Sequence, residues 1–149
     1  MKIYINAMAE SRKEIERSLS GVTDAIVEHL VKLVVMPSHS ARNHWKQEIA
    51  SNLSRIKRLD GSNRYPKADD IYKWTYNKVR DNITDVTYMT EMLYDIATEY
   101  NVDIEADPEE ICESSDRVCY EYFTWISKML STTGMVAKQR IYDKLDELV

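Results

Sequence analysis

The sequence is short of the residues that build backbone sites for phosphate. Its 149 residues include 3 glycines, at positions 21, 61 and 134, and 3 prolines. Loops that cradle phosphate need several glycines close together, because their backbone adopts positive φ and approaches the ligand closely. The spacing of the glycines therefore excludes a P-loop and a glycine-rich dinucleotide fingerprint.

Cysteine and long apolar runs are also scarce. The 2 cysteines, Cys112 and Cys119, are separated by seven positions in a segment of helical pattern, which places their Cα atoms about 10.5 Å apart. Because a disulfide needs Cα atoms within about 7 Å, we expect two buried thiols. The most apolar run, Val31–Met36, is interrupted by Lys32 and is far shorter than the roughly 20 residues of a membrane-spanning helix. These features, with no signal-peptide pattern at the N-terminus, favour a cytoplasmic protein without a membrane partner.

Recognisable catalytic and metal-binding motifs are missing as well. His39 and His44 are five positions apart rather than four, and no Glu precedes a His by three residues, so neither a helical ligand pair nor a di-iron motif can be written. No Gly-x-Ser-x-Gly turn is present. We therefore predict a protein that is not an enzyme and has no catalytic residue, no metal and no cofactor. A small hydrolase that uses His29 or His44 with a carboxylate is kept as a third hypothesis.

The chain is rich in helical periodicity, with 44% hydrophobic and 30% charged residues. Its length and composition predict a single domain over residues 1–149 with a substantial core. Residues 22–36 are apolar on nearly all sides, apart from a stripe of Asp24, Glu28 and Lys32. A helix of this pattern is expected to be buried on nearly all sides.

The longest periodic segment predicts one long helix over about residues 69–100. Apolar and aromatic positions from Tyr72 to Tyr100 are spaced alternately by four and three, which is a heptad seam; a kink near residues 82–85 is the alternative to a straight helix. Further helices are predicted over residues 41–59, 107–130 and 135–148. We therefore predict an all-α bundle of five or six helices, with or without a short strand at residues 2–5.

Basic charge is concentrated between residues 42 and 67. This segment contains seven basic and two acidic residues, a net charge of +5. The candidate binding residues are Arg55, Lys57, Arg58, Arg64 and Lys67. Such a patch is typical of a protein that binds nucleic acid, a nucleotide or another phosphate. The alternative is a solvated helix face that the acidic segment of the same chain neutralises.

Acidic charge is concentrated between residues 95 and 121. This segment contains ten acidic residues and one basic residue, a net charge of −9. Glu109, Glu113 and Asp116 line one edge of the helix predicted there. One interpretation is a solvated loop and helix start that the helix dipole stabilises. The other is a surface that imitates nucleic acid and occupies a basic groove of another protein.

About a third of the chain, residues 12–58, resembles a known bacterial family. The resemblance is carried by the hexapeptide Glu-His-Leu-Val-Lys-Leu at residues 28–33, followed by Pro37, Trp45, Ile49 and Ile56. It is similar to the core of the family called domain of unknown function twenty-nine, although the stretch from His29 to Trp45 is one residue longer here. The resemblance implies a small helical fold and no known activity.

Two functional hypotheses stand ahead of the hydrolase. The first is a non-enzymatic helical interaction module, an adaptor or inhibitor of a bacterium, phage or mobile element, which binds another protein through charged and aromatic surfaces. A homodimer along the Tyr72–Tyr100 seam is one form that this partner can take. The second is a nucleic-acid, nucleotide or phosphate binder that uses the basic segment 42–67.

Overall fold

The chain folds into helices throughout the part described. The structure is a computed structural model that describes residue 17 and residues 21–60, 68–133 and 135–149, apart from the side chains of residues 54, 56–60 and 68–75. The helices are α1 at residues 21–35, α2 at Arg42–Asp60, α3 at Ala68–Ile83, α4 at Val86–Tyr100, α5 at Pro108–Thr133 and α6 at Lys138–Leu148. No strand occurs in these residues, which confirms the all-α class. The strand expected at residues 2–5 lies outside them.

The helices enclose one hydrophobic core. Among the described contacts of α2 to α6, the most extensive joins α3 and α5; α2 packs on α3 and α6, α4 packs on α3 and α5, and α6 packs on α5. The largest fully buried side chains include Trp45, Tyr122 and Phe123. In α1, side chains such as Ile26 and Leu30 are completely buried, as the apolar pattern of residues 22–36 predicts.

The long helix predicted over residues 69–100 is two helices, so the unbroken form of that prediction is wrong. The break falls inside the stretch where the alternative placed a kink. Asp85 has extended backbone angles, and its carboxylate accepts hydrogen bonds from the backbone N–H groups of Thr87 at 2.8 Å and Tyr88 at 3.1 Å. These bonds satisfy donors that a continuing helix would have paired with the previous turn. α4 ends at Asn101, which takes the left-handed conformation with φ 49°.

The heptad seam contributes to the core of the same chain. Val79, Ile83 and Leu93 are buried by the surrounding helices. These positions are therefore used inside the chain, whereas Val86 is 42% exposed beside the break. The homodimer along the Tyr72–Tyr100 seam stays a prediction.

Candidate functional site

Two basic side chains of the basic segment are paired with the last helix. Asp146 of α6 accepts hydrogen bonds from the Arg42 guanidinium and, at 3.0 Å, from the Lys46 ammonium. The bond from Lys46 is the main cause that holds the pKa of Asp146 below its ordinary value, and the bond from Arg42 adds to it. Two of the seven positive charges are thus used where α2 packs on α6.

The structure describes one side chain of the predicted basic patch. Arg55 is exposed on α2, and its Nη1 donates a hydrogen bond of 3.3 Å to Oδ1 of Asn52. The side chains of Lys57 and Arg58, and all of Arg64 and Lys67, lie outside the described part. The grouping of these five residues into one patch therefore stays a prediction.

The predicted acidic edge of α5 is divided between the surface and a helix contact. Glu109 and Glu113 are exposed, whereas Asp116 is half-buried and accepts a hydrogen bond of 2.8 Å from the phenol of Tyr76 on α3. Burial of Tyr76, followed by this bond, raises the pKa of Tyr76 to about 12. Asp116 is therefore engaged with α3, and the role of the three carboxylates as one binding edge stays a prediction.

Residues 101–107, called the acidic strap below, form an extended connection between α4 and α5. Exposure alternates along it, so that Asp103 and Glu105 point outward while Val102, Ile104 and Ala106 are half-buried. Ile104 packs against the core. Alternating exposure is the pattern of an extended chain with one face on the protein and one face in solvent.

The first turns of α5 continue the carboxylates of the acidic strap. Asp107 begins α5 by accepting a hydrogen bond of 3.1 Å from the backbone N–H of Glu109, which confirms the helix start predicted at residue 107. We call the following side chains the acidic face: Asp103, Glu105, Glu109, Glu110 and Glu113. All five are exposed, and none forms an ion pair or a side-chain hydrogen bond with any residue that the structure describes.

Sequence reasoning located these charges but overlooked how the acidic strap presents them. The signal was the alternation of Val102, Ile104 and Ala106 with three acidic residues. It was overlooked because seven residues between two helices are usually treated as an irregular loop.

A groove of about 330 Å³ between α1 and α4 is also acidic. Its carboxylates are Asp24, Glu28, Glu91 and Asp95. Burial raises the pKa of Asp24, and burial together with the charges of Asp24 and Glu28 raises the pKa of Tyr88, which lines the same groove. In the described ranges, no group of three or more His, Cys, Asp or Glu side chains is arranged to hold a metal ion.

A second groove, of about 530 Å³, lies between α3 and α5 and has the opposite charge. It is called the aromatic–basic groove below, and its lining includes Tyr76, Arg80, Tyr120, Thr124, Lys128 and Ser131. The rings of Tyr76 and Tyr120 meet edge to face with their centroids 5.4 Å apart. No sequence motif marks this groove, because Arg80 and Lys128 are far apart in the chain and line one groove only through the packing of α3 on α5.

A polar cluster around the buried Lys32 joins α1, α2 and α4 at the edge of the core. Lys32 is 3% exposed, and its Nζ lies 3.2 Å from a Glu28 oxygen, 3.3 Å from a Glu99 oxygen and 5.1 Å from the centre of the Tyr100 ring. Trp45 Nε1 donates a hydrogen bond of 2.8 Å to the phenol oxygen of Tyr100. All of these groups are engaged with one another, so the cluster fixes the helices in place.

The candidate nucleophiles and bases are poorly placed for catalysis. Cys112 and Cys119 are buried as predicted, and burial raises the pKa of both thiols, which disfavours the reactive thiolate. His29 Nδ1 lies 2.5 Å from the backbone carbonyl of Ala25, and His44 is exposed with its Nε2 4.0 Å from a Glu48 oxygen. Neither groove described above is lined by a histidine.

Comparisons with known proteins give no family and no relative. No protein-family model, no curated protein and no solved structure matches the chain. The resemblance to the bacterial family of unknown function therefore stays a prediction. In the part of the chain that the structure describes, every helix is too short or too polar to cross a membrane.

Proposed function

We propose that the chain is a non-enzymatic helical protein-interaction module, an adaptor or inhibitor, whose acidic face binds a basic surface of another protein. The observation that carries this proposal is the acidic face itself: five exposed carboxylates without a counter-charge among the described residues. Carboxylates held close together repel one another, and a basic partner relieves that repulsion. A charge pattern of this kind also steers the partner and fixes its orientation.

The acidic face is built on ordered supports. Val102, Ile104 and Ala106 hold the acidic strap against the protein from below, and Asp107 fixes the start of α5. Charges that are already in place before binding lose less conformational entropy on association. In the basic segment, by comparison, Arg42 and Lys46 are paired with Asp146.

Affinity capture from the native host with mass spectrometry tests the proposal. The bait proteins are the wild-type chain, an acidic-face variant and a control variant of equal net charge. The acidic-face variant carries Asp103→Asn, Glu105→Gln, Glu110→Gln and Glu113→Gln. The control carries Asp81→Asn, Glu121→Gln, Asp143→Asn and Glu147→Gln, which are exposed acids elsewhere.

We expect a protein with a basic surface to be retained by the wild type and the control and lost from the acidic-face variant. The control separates the position of the charges from their number, since both variants lose four negative charges. Equal retention by the two variants, or no specific partner at low salt, where electrostatic attraction is strongest, contradicts the proposal.

A further inference from the structure

The main chain of the acidic strap has the course and the length of a β-strand. It makes no turn or sharp bend between residues 102 and 107, where exposure alternates from one residue to the next. Six extended residues span about 17 Å, which is the length of an ordinary strand. Both ends are fixed to helices, because the Val102 N–H donates to the carbonyl of Ala97 at 3.1 Å and the Asp107 carbonyl accepts from the N–H of Ile111 at 3.0 Å.

Between these two anchors, the backbone of residues 103–106 keeps its hydrogen-bonding groups free. None of their N–H or carbonyl groups bonds to another residue that the structure describes. In an extended chain, these groups point to the two lateral edges, alternating from residue to residue. An open edge of this kind is a template on which a further strand can pair. In complexes formed by strand addition, the main chain supplies the affinity and the alternate side chains supply the specificity.

The outward side chains of the acidic strap determine which strand can pair there. Asp103, Glu105 and Asp107 are exposed at every second position, so successive carboxylates are about 6.7 Å apart along the strap. A directly opposite residue on a paired strand has its Cβ atom about 4.5–5.5 Å away, and opposite charges attract at that separation. A second copy of the strap would place carboxylates opposite carboxylates, which is destabilising. The occupant that fits is a strand with cations at alternate positions.

We propose that the acidic strap pairs edge to edge with an extended segment of the partner protein in which every second residue is Lys or Arg. The backbone of residues 103–106 supplies the hydrogen bonds, and the carboxylates set the spacing that the partner must match. Residues such as Val or Thr suit the positions between the cations, because they favour an extended chain. The pairing rests on the proposed function, since it specifies how part of the acidic face meets its partner.

Two synthetic peptides of equal composition and charge test the pairing with the full chain. In acetyl-Thr-Lys-Val-Lys-Val-Lys-Thr-amide, the lysines alternate and share one face of the extended peptide. In acetyl-Lys-Thr-Val-Lys-Val-Thr-Lys-amide, they stand at every third position, so that successive lysines lie on opposite faces. At about 10 mM ionic strength, where the Debye length is about 30 Å, both peptides share the general attraction to an acidic surface. We expect the alternating peptide to bind at least about fivefold more tightly.

NMR separates strand pairing from loose attraction. With the isotope-labelled chain, the alternating peptide should give cross-strand contacts between its α-protons and the backbone protons of residues 103–106. Two methylated forms of this peptide provide a further check. Methylation of the lysine amides and methylation of the valine amides remove donors at opposite edges. One form should therefore lose affinity at least about tenfold, and the other should keep it.

Matched variants of the chain locate the binding. Asp103→Asn with Glu105→Gln should weaken binding of the alternating peptide about tenfold, because each carboxylate makes a charge-assisted contact. The control, Asp143→Asn with Glu147→Gln, removes two exposed acids of α6 and should leave the affinity unchanged. All four positions are exposed, and circular dichroism checks that both variants stay folded.

Equal affinities of the two lysine peptides, without cross-strand contacts, would overturn the strand pairing. The acidic face would then act as a charged surface of no fixed geometry, and the proposed function would stand. No binding of either peptide at low ionic strength would also overturn the pairing. The proposed function is decided separately, by whether the acidic-face variant retains the captured partner.

Discussion

The phenol of Tyr76 on α3 donates a hydrogen bond of 2.8 Å to the carboxylate of Asp116 on α5. This bond connects two helices that pack extensively on each other. It also explains why one carboxylate of the predicted acidic edge is absent from the acidic face. A sequence pattern can place Asp116 on a helix edge. Whether its carboxylate is bonded depends on the neighbouring helix, which the pattern does not include.

The Tyr76–Asp116 bond predicts a loss of stability at high pH. Because burial, and after it this bond, raise the pKa of Tyr76 from 10.0 to about 12, the neutral phenol stabilises the fold fully below pH 10 and less as the pH rises through 12. Tyr76→Phe should lower the free energy of unfolding by about 1.5 kcal/mol at pH 7. Urea unfolding of wild type and variant between pH 7 and 11.5, roughly the range set by these pKa values, measures both effects.

Tyr94→Phe is the control for this series, since Tyr94 is 72% exposed. It should match the wild type at every pH. If Tyr76→Phe loses no stability at pH 7, or if its deficit stays constant as the pH rises, the hydrogen bond does not contribute as described.

The Trp45–Tyr100 hydrogen bond predicts that removal of the Tyr100 phenol oxygen lowers the free energy of unfolding. Trp45 is completely buried, so Tyr100→Phe leaves its indole N–H without the acceptor that it has at 2.8 Å. An unsatisfied buried donor costs about 1–3 kcal/mol, and we expect a loss of about 2 kcal/mol in urea unfolding.

A double-mutant cycle separates this bond from ring packing. In the background of Trp45→Phe the donor is gone, so the additional cost of Tyr100→Phe should fall below about 0.5 kcal/mol. Equal costs of Tyr100→Phe in the two backgrounds would mean that the bond contributes nothing beyond the contact of the rings.

The contacts of Lys32 lead to a further prediction. Removal of its carboxylate partners should lower the free energy of unfolding more than removal of its charge. Burial alone lowers the pKa of Lys32, but its contacts with Tyr100 and Glu28 outweigh burial and leave the pKa above its ordinary value. The net stabilisation is therefore present below pH 10.5 and lost as the pH rises through the raised value. Replacing a buried ion pair with an apolar group of similar volume is often close to neutral.

We therefore expect Lys32→Met to change the free energy of unfolding by less than about 1 kcal/mol. The double variant Glu28→Gln with Glu99→Gln should lower the free energy of unfolding by about 2 kcal/mol. The double variant is worse because it leaves the ammonium buried without its carboxylates. Thermal and urea unfolding at pH 7 provide the comparison. The reverse order of stability would show that the charge of Lys32, rather than the satisfaction of that charge, holds the cluster together.

Local patterns allowed the helices to be predicted from the sequence. The helix predicted over residues 41–59 is found at Arg42–Asp60, and the start predicted at residue 107 agrees with α5 at Pro108. The break at Asp85 was harder to predict, because the four-and-three spacing continues in phase across it and only the capping bonds of Asp85 reveal the new helix start.

The surfaces were less predictable than the helices. The acidic charge of residues 95–121 is visible in the sequence, but its division into bonded Asp116 and the unbonded acidic face depends on contacts with α3. The pairing of Arg42 with Asp146 joins positions 104 residues apart, and no spacing rule connects them. The aromatic–basic groove has the same origin, since its two cations are on different helices.

The affinity of the acidic-face variant for the captured partner tests the central claim most directly. With the purified partner, the dissociation constant of the wild-type chain should rise steeply with salt concentration, because the interaction is electrostatic. At a fixed salt concentration, the acidic-face variant should bind at least about tenfold more weakly, and the control of equal net charge should stay within about twofold of the wild type. Equal affinities of the two variants, or an affinity that does not depend on salt, would contradict the assignment of the acidic face as the binding surface.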